Sequence, residues 1–310
     1  MDILTEGRWL KNALRLRGSV VLKVLPRSLL CGLFGLLVAY GAFRGWISGM
    51  PALASLIPNI VLGLLLVFRT NTAYDRFWDG RKCWGLVTNN ARSLSRQIWV
   101  AVDENNRADR EEKIAILRLL EAFALSLKHH LRQEPLDDLQ QLVSPEQMRR
   151  LQRTSTPPLE ILLWISDYLQ TQCRRNRLHV QQLTALQGNL DRLVEALGGC
   201  ERILKTPMPL AYAIHLKQLL LLYCLSLPFQ MVSTMHWWTP LGVILVAFMV
   251  FGIEAIGTEI ENPFGSDPND LPLDAICETI RRNIEDLVRF EAEADLRDSS
   301  SIAQSLPQKI

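Results

Sequence analysis

Ile60, Leu64 and Phe68 fall at i, i+4 and i+8, so on a helix they stack along one face over about 12 Å. Repeated around an axis by several copies, that face makes three apolar rings, which gate ions by dewetting and offer them no binding site. The same triplet also arises in any apolar helix that merely faces lipid. Directly after it comes Arg69–Arg81, RTNTAYDRFWDGR. Arg69, Asp75, Arg76 and Asp79 of this stretch suit an ion-pair network at a pore mouth, closed within the segment or between subunits. Direct contact of Arg69 or Asp75 with ions is the sharper alternative. Glu254 stands at the end of an apolar run, where an ionisable group is costly and faces protein or water. Asp267-Pro268-Asn269-Asp270 offers hard oxygen ligands in a tight turn, which suits calcium. The expected role of Asp270 is instead to cap a helix that carries Pro272 near its start.

Little else in the chain invites chemistry. Cys31, Cys83, Cys173, Cys200, Cys224 and Cys277 are dispersed without a CxxC pair, which argues against a disulfide framework or a zinc site. His129 and His130 are adjacent and point to different sides of a helix. No Ser-His-Asp or Cys-His grouping emerges, so catalysis is unsupported. Gly198-Gly199 has neither a preceding strand nor a following Lys-Ser/Thr, which removes a phosphate loop. No basic run interleaved with aromatics points to nucleic acid.

The elements that must position these residues follow from where the apolar residues lie. The chain has 310 residues, 48% hydrophobic and 21% charged, with a net charge of +2, values shared by many soluble enzymes. Their distribution excludes that class. Apolar residues crowd into Ser28–Phe68 and Leu216–Gly257, each long enough for two spans of about 20 residues. The spans are expected at Ser28–Ile47, Pro51–Phe68, Leu216–Val232, with Pro228 as a kink, and Trp237–Gly257. Gly35, Gly41, Gly63 and Ala52 provide small-residue surfaces for close helix approach. Residues 1–27 read as a basic amphipathic segment at a membrane surface. Residues 69–215 are polar and helical in period. One stripe comprises Ile114, Leu117, Leu120, Ala124, Leu127 and Leu131. A second comprises Leu183, Leu186, Leu190, Leu193 and Leu197, and is expected to stop at Gly198-Gly199. Residues 258–295 hold the acidic turn and an amphipathic helix from about Leu271 to Glu293. Residues 296–310 make a Ser-rich tail expected to be disordered.

Basic residues near the spans set the orientation. Six lie before the first span and several flank residues 69–215, whereas the loops inside the two hairpins hold only Arg44 and none. Both termini and the middle region are therefore expected in the cytoplasm, with Trp237 and Trp238 at the outer interface. The fold class is all-α: a polytopic membrane protein of four transmembrane helices with a cytoplasmic helical region. No transit peptide is visible, and a bacterial inner membrane is the expected location.

Three segments together resemble the bestrophin family. Arg17-Gly18-Ser19-Val20 looks like its N-terminal motif. RTNTAYDRFWDGRKCWG (Arg69–Gly85) looks like the signature after the second span in the bacterial and plastid branch. GTEIENPFGSDPNDLPLD (Gly257–Asp274) is similar to the acidic segment after the last span. The resemblance covers roughly residues 8–295. It implies a homopentamer in the bilayer with one central pore lined by the second span, and maps the family's hydrophobic neck onto Ile60, Leu64 and Phe68. It also implies a cytoplasmic exit constriction, for which Leu178 is the first candidate, with Val180 and Gln181 as alternatives. Animal members hold calcium with a clasp that corresponds to Glu259, Asn262, Asp267 and Asp270. Here the unbroken acidic run is replaced by SDPNDLP and Glu stands where Gln is usual. The departure predicts a structural role that holds the fourth span, with no cofactor required. The resemblance implies passive conduction of small inorganic ions, chloride-type by family weight. A monovalent cation channel of the same architecture and a non-conducting, membrane-anchored signalling module are the alternatives.

Overall fold

The computed structural model describes residues 15, 18–50 and 56–305, and side chains for 15, 18–50 and 58–290. All regular elements among them are helical: α1 (Val21–Phe43), α2 (Leu56–Ala101), α3 (Arg107–Arg132), α4 (Pro145–Leu151), α5 (Pro157–Arg174), α6 (Val180–Lys205), α7 (Leu210–Met235), α8 (Thr239–Glu259) and α9 (Leu273–Ser305). Short 3-10 turns occupy Asp137–Gln141 and His236–Trp238. Most of the expected N-terminal amphipathic segment, Arg17, residues 51–55 with Ala52, and residues 306–310 lie outside the described residues.

The chain divides into two units. The first takes its residues from Met1–Trp78 and Thr206–Asp270, and so contains α1, the first part of α2, α7 and α8. Here α1 packs along α8 and α7, and α7 packs on α8. Gly35 allows the closest backbone approach, since a Cβ there would sit 3.4 Å from the Pro240 Cα. Gly32, which the spacing argument did not single out, is tighter still, and a Cβ there would land on the Ile244 side chain. Gly63 faces open space within the chain, and the atoms nearest an added Cβ at Gly41 belong to Ile47. Gly35 thus seats a neighbouring helix within the chain. Outward, the unit is apolar: Leu30, Leu37, Phe43, Leu222 and Leu245 are each more than 60% exposed. Val21–Phe43 and Leu210–Glu259 are long and apolar enough to cross a membrane, yet only 28% of the residues in each apolar window are buried. So extensive an apolar surface is not one that water tolerates.

The second unit takes its residues from Asp79–Lys205 and Leu271–Ile310. At its centre α3 packs on α5, α9 and α6. Leu117, Leu120, Ala124, Leu127 and Leu131 of α3 are all buried, as are Leu183, Leu186, Leu190, Leu193 and Leu197 of α6. Lys128 and Arg132 of α3 reach Asp274 at 3.0 and 3.2 Å and tie down the start of α9. The Lys128 hydrogen bond, helped by Arg132, holds the Asp274 carboxyl below the usual carboxylate range.

Two expectations fail in this unit. Gly198-Gly199 does not end α6, which continues to Lys205. A Cβ at Gly199 would lie 2.8 Å from Cys83 Sγ, so this glycine serves close approach by α2 rather than termination. The Ser-rich tail is helical as far as Ser305, because no Gly or Pro interrupts residues 273–305.

Gly32→Ala is expected to destabilise the detergent-purified protein by about 1–3 kcal/mol through overpacking. Adding Ile244→Ala should recover most of that loss in a thermal or denaturant unfolding series. Equal stability of the single variant and the parent would show that α1 and α8 do not meet at Gly32.

Candidate functional site

The spacing of buried residues along α2 sets which side chains it presents. In the first unit Leu62, Leu66, Arg69 and Ala73 are buried, at intervals of four, three and four. That stripe faces α7: Leu62 and Leu66 cluster with Leu216 and Leu220, and Tyr212 Oη donates to the Leu65 carbonyl at 2.8 Å. Ile60, Leu64 and Phe68 lie off the stripe and are 50%, 52% and 60% exposed. The three side chains predicted to form rings therefore share an open apolar face of one helix.

Arg69 occupies a place on the stripe where an apolar residue would be ordinary. Its guanidinium, only 3% exposed, donates from Nη2 to Thr258 Oγ1 at 2.8 Å and to Glu261 Oε2 at 3.3 Å. Glu261 also accepts from the Met208 backbone N–H at 3.1 Å. Seven residues on, Arg76 returns to the same side of the helix and donates to the carbonyls of Glu261 and Thr206. Within one chain, the expected network of Arg69–Arg81 does not close on itself. Asp75 and Asp79 are exposed, and neither pairs with Arg69 or Arg76 among the described residues. Asp79 pairs with Lys82 at 3.1 Å. Helical phase is the reason, since the two arginines lie on the packed side and the two aspartates lie off it.

Beside this anchor is a cavity of about 550 Å³ lined by Glu254, Thr258, Glu259, Asn262, Asp267 and Asp270, with Lys23, Arg27 and Lys217 among the remaining walls. Glu254 is buried, as an ionisable group in that position requires, and accepts from Thr258 Oγ1 at 3.1 Å. All four residues of the expected clasp meet here, but their oxygens face protein donors. Lys23 Nζ lies 3.4 Å from Glu259 Oε2 and 3.9 Å from Asp267 Oδ2. Asn269 Nδ2 donates to Glu259 Oε1 at 2.9 Å and to the Gly18 carbonyl at 3.1 Å. Asn262 Oδ1 accepts from the Phe264 N–H at 3.3 Å.

Asp270 belongs to the acidic turn itself, three residues before α9 begins at Leu273. Its Oδ2 accepts from the Asp267 N–H at 2.7 Å and closes the turn on itself. Among the described residues, no three His, Cys, Asp or Glu side chains converge as metal ligands. The Lys23 ammonium lies between two of its carboxylates and competes with a calcium ion for the same oxygens, although Glu259 Oε2 is buried without a hydrogen-bond partner among the described residues. Spacing arguments missed Lys23, Arg27 and Lys217 as members of the site. The signal available was chemical: a turn so rich in acid needs counter-cations, and Lys23 and Arg27 share one face of α1 at i, i+4.

Leu178, the first candidate for a second constriction, is only 4% exposed in the connection between α5 and α6. That connection is pinned by Arg177, which pairs with Asp109 and whose carbonyl accepts from the Asp103 N–H at 2.9 Å. Pinning turns Leu178 into the core. Val180, the first residue of α6, is 63% exposed, and Gln181 is exposed beside it. A side chain committed to its own core cannot line an opening, so the assignment to Leu178 is withdrawn.

Comparison with known proteins bears on the whole of this arrangement. The family model described as bacterial/fungal bestrophin protein matches residues 3–286. A voltage-dependent anion channel-forming protein of Nostoc sp. is 56% identical over 303 residues, covering 96% of this chain and 99% of that one. Its counterpart in Escherichia coli K12 is 32% identical over 301 residues, covering 96% of each. Among solved structures, a bacterial bestrophin homologue from Klebsiella pneumoniae matches with a TM-score of 0.76 at 30% identity. It covers 86% of this chain and 98% of that one. With its helices, its arginine anchor and its acidic turn in these places, the chain belongs to the bacterial/fungal bestrophin family.

Proposed function

We propose that this chain is one subunit of a bestrophin-type channel for small inorganic anions. Five copies surround a central pore lined by α2 and narrowed by rings of Ile60, Leu64 and Phe68. The observation that carries this reading is the open apolar face of α2. It is half exposed at all three positions in a chain whose near full-length relatives are named as anion channel-forming. Isolated, such a face is a liability. Around a pore it becomes a constriction that dries readily and holds no ion. The rings carry no charge of either sign, so chloride is assigned on kinship, and potassium or sodium is the outcome that a reversal potential would distinguish.

The membrane arrangement follows from α1. Lys23 and Phe43 are 20 residues apart, which is about 30 Å of helix and the thickness of a hydrocarbon core. Near the Lys23 end are Arg27 and Lys217. At the Phe43 end an aromatic cluster forms, with Phe43 against Trp237 at 5.2 Å and Tyr40 against Trp46 at 6.3 Å between ring centroids. Basic residues favour the cytoplasmic side and Trp and Tyr favour the interfaces. We therefore assign four spans in two hairpins, residues 28–68 and 216–257. Both termini, the helical region 69–215 and the segment 258–295 lie in the cytoplasm of a bacterial inner membrane. Val180 replaces Leu178 as the side chain of the cytoplasmic exit constriction. The channel requires no calcium, because Lys23 supplies the positive charge inside the acidic turn.

Four measurements test this reading. In a planar bilayer under a KCl gradient, purified protein should reverse near the chloride equilibrium potential. The triple variant Ile60→Ala, Leu64→Ala, Phe68→Ala should raise single-channel conductance about twofold or more by widening and wetting the neck. Unchanged currents from a verified pentamer would remove the neck assignment. Val180→Ala should raise conductance in its own right, whereas Leu178→Ala should lower stability by about 2–5 kcal/mol with conductance unaltered in the protein that folds. Chelation of calcium should leave the current intact, and loss of current under chelator would reinstate the metal.

A further inference from the structure

Four of the six cysteines meet in pairs across helices that are distant in sequence. In the first unit Cys31 of α1 neighbours Cys224 of α7. In the second, Cys83 of α2 and Cys200 of α6 hydrogen-bond each other. All are free thiols. The Cys83–Cys200 pair is set apart by its surroundings. Cys200 is fully buried while Cys83 is half-buried. Gly199, the residue before Cys200, lies in the interior of α6, where glycine is a poorer helix former than alanine. The position it holds is the one where a Cβ would strike Cys83 Sγ. The helix therefore accepts a poor helix former beside the point where the two sulfurs meet.

The electrostatic setting divides the roles of the two sulfurs. The Cys200 S–H donates to Cys83 Sγ, which lowers the pKa of the Cys83 thiol to about 7. Burial and Asp79 oppose this, and Arg202 assists it. The same hydrogen bond, with burial, holds Cys200 in its protonated form. A partly accessible thiolate beside a buried thiol is the arrangement of an attacking and a resolving cysteine.

We propose that Cys83 and Cys200 form a reversible dithiol–disulfide site, oxidised by a peroxide and reduced by a dithiol, that staples α2 to α6. The Cys83 thiolate attacks one peroxide oxygen and breaks the O–O bond. Sulfenic acid forms at Cys83, and the departing hydroxide takes a proton to become water. The Cys200 sulfur then attacks the Cys83 sulfur and displaces the hydroxyl, which leaves as a second water with the Cys200 proton. Two thiols are oxidised, and one hydrogen peroxide is reduced to two waters. A dithiol reductant reverses the bond by exchange.

The test uses the full-length protein in detergent, treated with hydrogen peroxide, blocked with N-ethylmaleimide, digested without reductant and mapped by mass spectrometry. The expected product is a peptide pair joined through Cys83 and Cys200 within one chain, lost after dithiothreitol. Cys83→Ser should abolish the cross-link. Cys200→Ser should abolish it too while leaving a sulfenic acid at Cys83 that dimedone labels. Recovery of both cysteines as maleimide adducts after peroxide, in unmodified protein that elutes as an intact oligomer, would overturn the proposal. So would a cross-link from Cys83 to any other cysteine, or dimedone labelling of the Cys200→Ser variant elsewhere than Cys83.

Discussion

Burying a guanidinium among apolar helices costs several kcal/mol unless its charge and its donors are met, and the first unit offsets most of that cost at Arg69, whose Nε is left buried without a hydrogen-bond partner among the described residues. Glu261 supplies the charge, Thr258 supplies an acceptor, and Glu261 is itself held by the backbone N–H of Met208. Arg76 repeats the arrangement one heptad later by taking the carbonyls of Glu261 and Thr206. These contacts join α2 to the end of α8 and to the entry of α7. They also fix the rotation of α2 about its own axis, since a helix with two arginines committed to one side has no other setting that keeps them paired. The apolar face carrying Ile60, Leu64 and Phe68 is what that setting leaves open.

The acidic turn after α8 depends on the same logic of compensation. Glu259 and Asp267 carry negative charge into a partly enclosed cavity, and Lys23 from α1 answers it. Asn269 extends the tie from Glu259 to the carbonyl of Gly18, so the start of α1 is fastened to the turn by both a charge and a hydrogen bond. A metal ion is one means of gathering carboxylates and a lysine is another. The lysine brings its own tether to the chain.

Glycines mark the close contacts in both units. Gly32 and Gly35 let α8 approach α1, and Gly199 admits the Cys83 side chain to α6. In a lipid-facing bundle such contacts replace the hydrophobic drive that water would otherwise supply. In α6 the glycine instead accommodates a sulfur. The Gly198-Gly199 pair illustrates why composition misleads here, because a helix terminator and a close-packing position call for the same residue.

Much of the organisation was legible in the chain alone. The crowding of apolar residues into two zones, the leucine stripes of α3 and α6 and the i, i+4, i+8 triplet on α2 are periodic signals, and periodicity depends only on local helix geometry. The motifs around Arg69–Gly85 and Gly257–Asp274 carried the family for the same reason, as contiguous residues with a fixed order. What the tertiary structure decided were the partners. Arg69 finds Glu261 rather than Asp75, Asp270 closes its own turn, and Leu178 turns inward while Val180 stays exposed. Cys83 meets Cys200 although 117 positions separate them in the chain. Each is a choice between chemically equivalent partners, and only the packing of helices distant in sequence brings one within reach and turns the others away.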